Sequence, residues 1–146
     1  MIPDDVGGVM EIEKESFVPP EVVCSWIEEL GKENTYNYVA KHNEGGNPAI
    51  VGYINFVNVA GEIQLNHVAV RKNNRREGIG RMLMRRMMEV AVSLGINALT
   101  LEVRSSNQTA IQLYEKSGFV IEGCRKNYYS STGEDALIMW AYPNHP

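Results

Sequence analysis

The sequence predicts a mixed α/β sandwich, a sheet with helices on both faces. Two observations predict it. Apolar residues recur at helical spacing in some segments and alternate or run together in others. Their order along the 146 residues is helix, helix, three antiparallel strands, helix, strand, helix, two strands. No repeat, low-complexity segment or long linker divides the chain, and its length fits a single domain over 1–146.

Residues 4–15 read as a short helix, with Val9, Ile12 and Phe17 apolar and acids between them. The pair Gly7-Gly8 weakens it. Pro19-Pro20 opens a second helix that runs to Leu30, with Gly31 as its stop. Strands are expected over 36–40 and 49–59, joined by the hairpin-type loop 43–47, and over 62–70. The next helix carries Ile79, Leu83, Met87, Val90, Ala91 and Leu94 at helical spacing and ends at Gly95. Met82, Met84, Met87 and Met88 on that helix read as pliable core filler. Residues 98–103 form a buried-looking strand. Residues 107–116 form a short helix with Ile111 and Leu113 apolar, stopped by Gly118. Two strands close the chain, 119–121 and 136–142, around the turn 130–133.

Composition narrows the function classes. With 44% hydrophobic residues the chain has material for a packed core. Its apolar runs are too short to span a bilayer, and its N-terminus lacks a signal-peptide pattern. Cys24 and Cys124 stand alone, and His42, His67 and His145 are scattered. No metal site is expected, and a cytoplasmic location with reduced thiols is. The net charge of −4 hides a dipolar layout. Seven of the 14 Lys and Arg lie between Arg71 and Arg86, while nine of the 18 Asp and Glu lie within the first 33 residues.

The basic stretch reads Arg71-Lys-Asn-Asn-Arg75-Arg76-Glu77-Gly78-Ile79-Gly80-Arg81 and joins a strand to a helix. The first turn of a helix has unpaired N–H groups and a partial positive charge. Glycines let a phosphate approach that backbone. A P-loop is excluded because no Gly-Lys-Ser/Thr follows. A dinucleotide fingerprint is a weak match, because Leu83 stands where its third glycine belongs. The acidic overall balance, with a sequence pI near 5.4, argues against a nucleic-acid binder.

The remaining pattern, Arg75-x-x-Gly78-x-Gly80, resembles the acetyl-coenzyme A pyrophosphate loop of the GNAT superfamily of N-acetyltransferases. A second block, Leu101-Glu-Val-Arg-x-x-Asn107-x-x-Ala-Ile-x-Leu-Tyr114-x-x-x-Gly-Phe119, resembles the second half of that family's core. It is similar above all to the ribosomal-protein-alanine N-acetyltransferase branch, the RimI type. A third block, Arg125-Lys-Asn-Tyr128-Tyr129 followed by Gly133-Glu-Asp-Ala136, resembles the same branch and the related N-terminal acetyltransferase catalytic subunits. The blocks span roughly 62–140, and the first 60 residues match loosely. The resemblance implies the GNAT fold, with a mixed, mostly antiparallel central sheet, and acetyl-CoA as cosubstrate without a metal. It also implies an opening strand before the first helix, for which Met1 to Pro3 is too short. That leaves the sheet edge open, and a monomer or weak dimer is expected.

Roles follow from chemistry and resemblance together. Glu102 lies in an otherwise apolar strand, on the face shared with Thr100. Burial there would make it a stronger base; an ion pair with a nearby Arg is the competing reading. The resemblance implies a general base acting through water. It also implies Tyr114 as the general acid for the departing thiolate, where the residues alone equally allow a core tyrosine. Asn107 fits a helix cap, and in the family it holds the pantetheine arm. The backbone of Val68, Ala69 and Val70 would pair with the pantetheine amides and polarise the thioester carbonyl. Residues 76–81, Arg76, Glu77, Gly78, Ile79, Gly80 and Arg81, would hold the pyrophosphate. The acceptor would lie between the 17–21 loop, with Glu21, and a hairpin in which Tyr128 and Tyr129 clamp a peptide backbone. The acidic N-terminal third would draw a basic protein tail, such as a ribosomal protein's. No direct nucleic-acid or membrane partner is expected. A GNAT enzyme for a small amine or a lysine side chain, or a non-catalytic acetyl-CoA-binding regulator, remains the alternative.

Overall fold

The computed structural model describes residues 1–16 and 26–143. Six strands form one sheet: β1 (Thr35–Glu44), β2 (Asn47–Val59), β3 (Glu62–Val70), β4 (Leu99–Arg104), β5 (Val120–Tyr129) and β6 (Glu134–Ala141). Their order across the sheet is β1-β2-β3-β4-β6-β5. The pairs β1–β2, β4–β6 and β5–β6 are antiparallel. The parallel β3–β4 ladder covers only Ile63↔Leu99 and Gln64↔Thr100. The sheet is therefore mixed and mostly antiparallel, as expected. Four helices accompany it among the described residues: α1 (Val6–Ser16), α2 (Trp26–Leu30), α3 (Ile79–Ser93) and α4 (Gln108–Lys116). Among the described residues no helix is long and apolar enough to cross a membrane.

The residues fall into two compact units, Met1–Val57 with Asn66–Met84, and Asn58–Leu65 with Arg85–Pro146. In the first unit, Val9 and Ile12 of α1, Trp26, Tyr53 and Ala69 form one buried cluster. The Trp26 ring meets Tyr53 edge-on, with centroids 5.5 Å apart. Strand neighbours point to opposite faces, so Gly52 turns away from that cluster. A Cβ on Gly52 would meet Ile79 and Leu83 of α3 at 3.2 Å. Helices thus cover both faces of β2. The β1–β2 register shifts where Ala40 pairs Gly52 and Lys41 pairs Ile50. The extra residue, Val51, brings Ile50 to the α1 side, where it packs on the cluster.

In the second unit β4 alternates buried and half-buried positions, with Leu99, Leu101 and Val103 inward. Met87, Val90 and Ala91 of α3, Ile111 and Tyr114 of α4, Phe119 and Met139 are among the other buried residues of this unit.

The expected elements are present with shifted ends. A 3-10 turn (Pro3–Asp5) precedes α1 where the family's opening strand was expected. The loop 43–47 shrinks to Gly45-Gly46, because β1 and β2 pair down to Glu44↔Asn47. The methionine reading needs correction. Met84 and Met87 are fully buried, but Met82 is 55% exposed. At 100° per residue Met82 lies well round the helix from Met84. The expected start of the second helix at Pro19-Pro20 falls outside the described residues, as does Cys24.

Candidate functional site

The glycine loop lies in the first unit. β3 ends at Val70, a 3-10 turn covers Lys72–Asn74, and Arg75 is extended. Arg76 and Gly78 then adopt left-handed backbone, at φ 66° and 82°. The first bond of the α3 ladder runs from Met82 N–H to the Gly78 carbonyl at 3.0 Å. The N–H groups of Ile79, Gly80 and Arg81 precede that ladder, which supplies them no acceptor. A Cβ built on Gly78 would meet nothing within 4 Å. Open space over a left-handed glycine at a helix N-terminus fits a pyrophosphate.

Two of the basic residues have internal tasks. Arg71 donates through Nε to the Ile50 carbonyl at 2.6 Å and through Nη2 to Glu11 at 2.8 Å. Arg75 Nε donates to the Val70 carbonyl at 3.2 Å. The Lys72 N–H reaches Glu15 at 2.9 Å. Two acids of α1 therefore tie down the strand-to-loop junction. Val68, Ala69 and Val70 lie beyond the two-residue β3–β4 ladder.

The acidic N-terminal third is partly committed within the protein. Besides Glu11 and Glu15, Asp5 pairs with Lys41 at 3.1 Å, Glu29 with Lys32, and Glu13 accepts from Trp26 Nε1 at 2.9 Å. The field offered to a basic tail is smaller than the raw count of acids suggests.

The carboxylate cluster lies in the second unit. Glu102 is not buried: its side chain is 26% exposed. It occupies a half-buried position on β4 because the strand buries only its odd-numbered residues. Arg125 Nη1 lies 3.6 Å from its Oε1, so the ion pair entertained from sequence is present. The same carboxylate, as hydrogen-bond acceptor and as charge, pushes the Tyr128 phenol up and keeps it protonated. Tyr128 is 46% exposed. Its ring lies edge-on to Tyr129, with centroids 5.2 Å apart, and the Arg125 guanidinium is 5.6 Å from its centre. The Arg104 guanidinium stacks over Tyr129 at 4.0 Å.

Sequence reasoning missed several members of this cluster. Arg125 was legible only as part of a motif. Arg104 stacks on Tyr129 and pairs with Glu134 at 3.3 Å. Glu134 also accepts from Ser106. Asp135 accepts from the Asn127 N–H at 3.0 Å and from Lys126 at 3.2 Å. The Gly-Glu-Asp-Ala signal that could have found them had been read only as a family mark.

The other expected residues stand as follows. Tyr114 is buried on α4, its ring tilted against Phe119 at 6.3 Å. Asn107 caps α4, accepting from the Ala110 N–H at 3.2 Å through Oδ1. Glu21 and the 17–20 loop lie outside the described residues. Cys124 is free and exposed. Among the described residues no group of three His, Cys, Asp or Glu is placed to hold a metal.

Comparison with known proteins adds four findings. The family model described as acetyltransferase (GNAT) family matches residues 7–119. A Bacillus subtilis relative is 37% identical over 141 residues, covering 97% of this chain and 91% of its own. Its assignment as the ribosomal protein bS18-alanine N-acetyltransferase is itself provisional. The crystal structure of the ribosomal-protein-S18-alanine N-acetyltransferase from Escherichia coli superposes with a TM-score of 0.83 at 29% identity, covering 100% of this chain and 92% of that one. A Bacillus anthracis acetyltransferase, assigned provisionally to streptothricin and solved with acetyl coenzyme A, superposes with a TM-score of 0.74 at 25% identity. That match covers 87% of this chain and 72% of the other.

Proposed function

The chain belongs to the GNAT acetyltransferase family, and we propose that it acetylates the N-terminal α-amine of a protein from acetyl-CoA. The substrate we infer is a ribosomal protein of the bS18 kind beginning with alanine or serine, acetylated by one catalytic domain. The observation that carries this reading is the Glu102–Tyr128 pair: a partly exposed carboxylate beside a half-exposed tyrosine pair.

Acetyl-CoA supplies an activated thioester acyl group. The N–H groups of 79–81, with Arg75, Arg76 and Glu77 around them, hold its pyrophosphate over Gly78. The backbone of Val68, Ala69 and Val70 pairs with the pantetheine amides, and Asn107 holds the same arm. Glu102 takes a proton from the substrate ammonium through water. The neutral amine then forms the C–N bond as the C–S bond breaks. Tyr114 gives its proton to the departing sulfur; the surplus proton on the newly acylated nitrogen passes through water to restore Tyr114, and the proton held by Glu102 returns to solvent. Tyr128 and Tyr129 clamp the peptide backbone, and Glu21 contacts its first residues.

Amine chemistry favours this acceptor. An α-amine titrates near about 7.8 and lysine near about 10.4. Deprotonation at pH 7 therefore costs about 1 kcal/mol for the first and about 4.6 for the second. A single carboxylate suits the easier task.

The test is acetyl-CoA with short basic peptides beginning with alanine or serine, read by mass spectrometry. Blocking the peptide N-terminus while leaving its lysines free should abolish acetylation. Undiminished acetylation of the blocked peptide would make the protein a side-chain acetyltransferase.

A further inference from the structure

A regular β5 could not bring Arg125 and Tyr128 together beside Glu102. Residues three apart on a strand point to opposite faces, yet Arg125 lies 3.6 Å from the Glu102 carboxylate and 5.6 Å from the centre of the Tyr128 ring. The β5–β6 register shows how this is achieved. Arg125 pairs Ala136 and Tyr129 pairs Glu134. Lys126, Asn127 and Tyr128 therefore stand opposite the single residue Asp135, and Asn127 is left-handed at φ 54°.

Such a bulge strands backbone donors that need an acceptor. Asp135 supplies it. Oδ1 accepts the Asn127 N–H at 3.0 Å, and Oδ2 accepts from Lys126 at 3.2 Å. Its own carbonyl accepts the Ser105 N–H at 3.0 Å, at the end of the strand that carries Glu102. One residue thus fastens the bulge bearing Tyr128 and the strand bearing Glu102.

We propose that Asp135 is a positioning residue for acetyl transfer: it holds the β5 bulge that sets Tyr128 beside Arg125 and Glu102 and fixes the peptide clamp. This rests on the reading of Tyr128 as a substrate contact. The Asn127 N–H and Lys126 hold the Asp135 carboxyl below the usual carboxylate range, so it is charged at working pH. The groups acting on the Tyr128 phenol are Glu102 from β4 and Arg125 from β5.

The test follows Tyr128 directly. The full-length protein is labelled with 13Cζ-tyrosine, its Tyr128 signal is assigned by Tyr128→Phe, and the phenol is titrated by NMR. Asp135→Ala should return that titration toward the ordinary tyrosine range. It should raise the peptide KM about tenfold, the scale of one lost charge-assisted hydrogen bond, with acetyl-CoA affinity unchanged. Asp135→Asn keeps an Oδ1 acceptor for the Asn127 N–H but loses the charge and the Lys126 ion pair, and should lie between wild type and Asp135→Ala. Asn127→Ala penalises the left-handed residue and should move the phenol the same way by less, so the test does not depend on the folding of one variant. A Tyr128 titration unmoved in both Asp135→Ala and Asn127→Ala overturns the positioning role. A wild-type peptide KM in Tyr128→Phe would instead remove Tyr128 as a substrate contact while leaving the bulge result standing.

Discussion

Gly78 and Gly61 make a matched pair for testing the pyrophosphate loop. Both have φ near 82°, and at both a Cβ would meet nothing within 4 Å. Gly61 lies in the β2–β3 turn, Gly78 at the start of α3. Replacing either with alanine adds the same strain, about 1–2 kcal/mol for a left-handed non-glycine residue. In a domain of this size that lowers Tm by about 3–8 °C in both variants. Their cofactor affinities should diverge. At Gly78 the new methyl enters the open space assigned to the pyrophosphate. Losing one charge-assisted bond there costs about 1.5–3 kcal/mol, or about 10- to 100-fold in affinity for coenzyme A. Gly61→Ala should bind as wild type. Gly78→Val should be worse than Gly78→Ala, because a β-branched residue tolerates positive φ poorly. Calorimetry with coenzyme A and thermal melts on the three variants decide the matter. Equal coenzyme A affinity in Gly78→Ala, Gly61→Ala and wild type would refute the loop assignment.

Glu102→Gln should lower kcat by about 10²–10⁴-fold at pH 7 with acetyl-CoA affinity nearly intact. The loss should shrink near pH 9, where the α-amine is already neutral, and an unchanged kcat at pH 7 would remove the base role. Asp5 gives an acid signature. Burial raises its carboxyl, but the Ile2 N–H, Lys41 and the N-terminal charge outweigh that and hold it below the ordinary value of 3.8. A group depressed on folding contributes stability above its unfolded pKa and loses it as pH falls through the folded value. Asp5→Asn should therefore melt below wild type at pH 7, with the gap closing below about pH 4; a gap constant down to pH 3 contradicts this. The rate with a basic peptide should fall as salt rises, since exposed charges are screened beyond about 10 Å at 0.1 M. The fall should be modest, because Asp5, Glu11 and Glu29 are already paired. A salt-independent rate would sink the electrostatic steering.

Local sequence determined what repeats at short range. Helical spacing placed α3 and α4, and alternation placed β3 over Glu62–Val70, the bounds it has in the structure. The short polar side chain of Asn107 marked a helix start, and its Oδ1 caps α4. The glycine pair located the turn into α3. Tertiary structure decided what depends on partners far along the chain. The sequence suggested a strand only to Ile121, because the apolar run ends there and Glu122 to Asn127 are mostly polar. Pairing with β6, not an apolar face of its own, makes that segment a strand. Whether Met82 or Met84 meets the core depends on the face α3 turns inward, which a run of four methionines does not specify. For Glu102 the sequence left burial and an ion pair with an arginine both open; the sheet leaves the side chain half-open, paired with Arg125 from a strand more than 20 residues away. Three register shifts, at Val51, at Glu122 and opposite Asp135, change which side chains share a face. Periodicity holds only while the ladder is regular. A bulge depends on what its stranded N–H groups find across the sheet, and for Asn127 that acceptor is the carboxylate of Asp135, eight residues on.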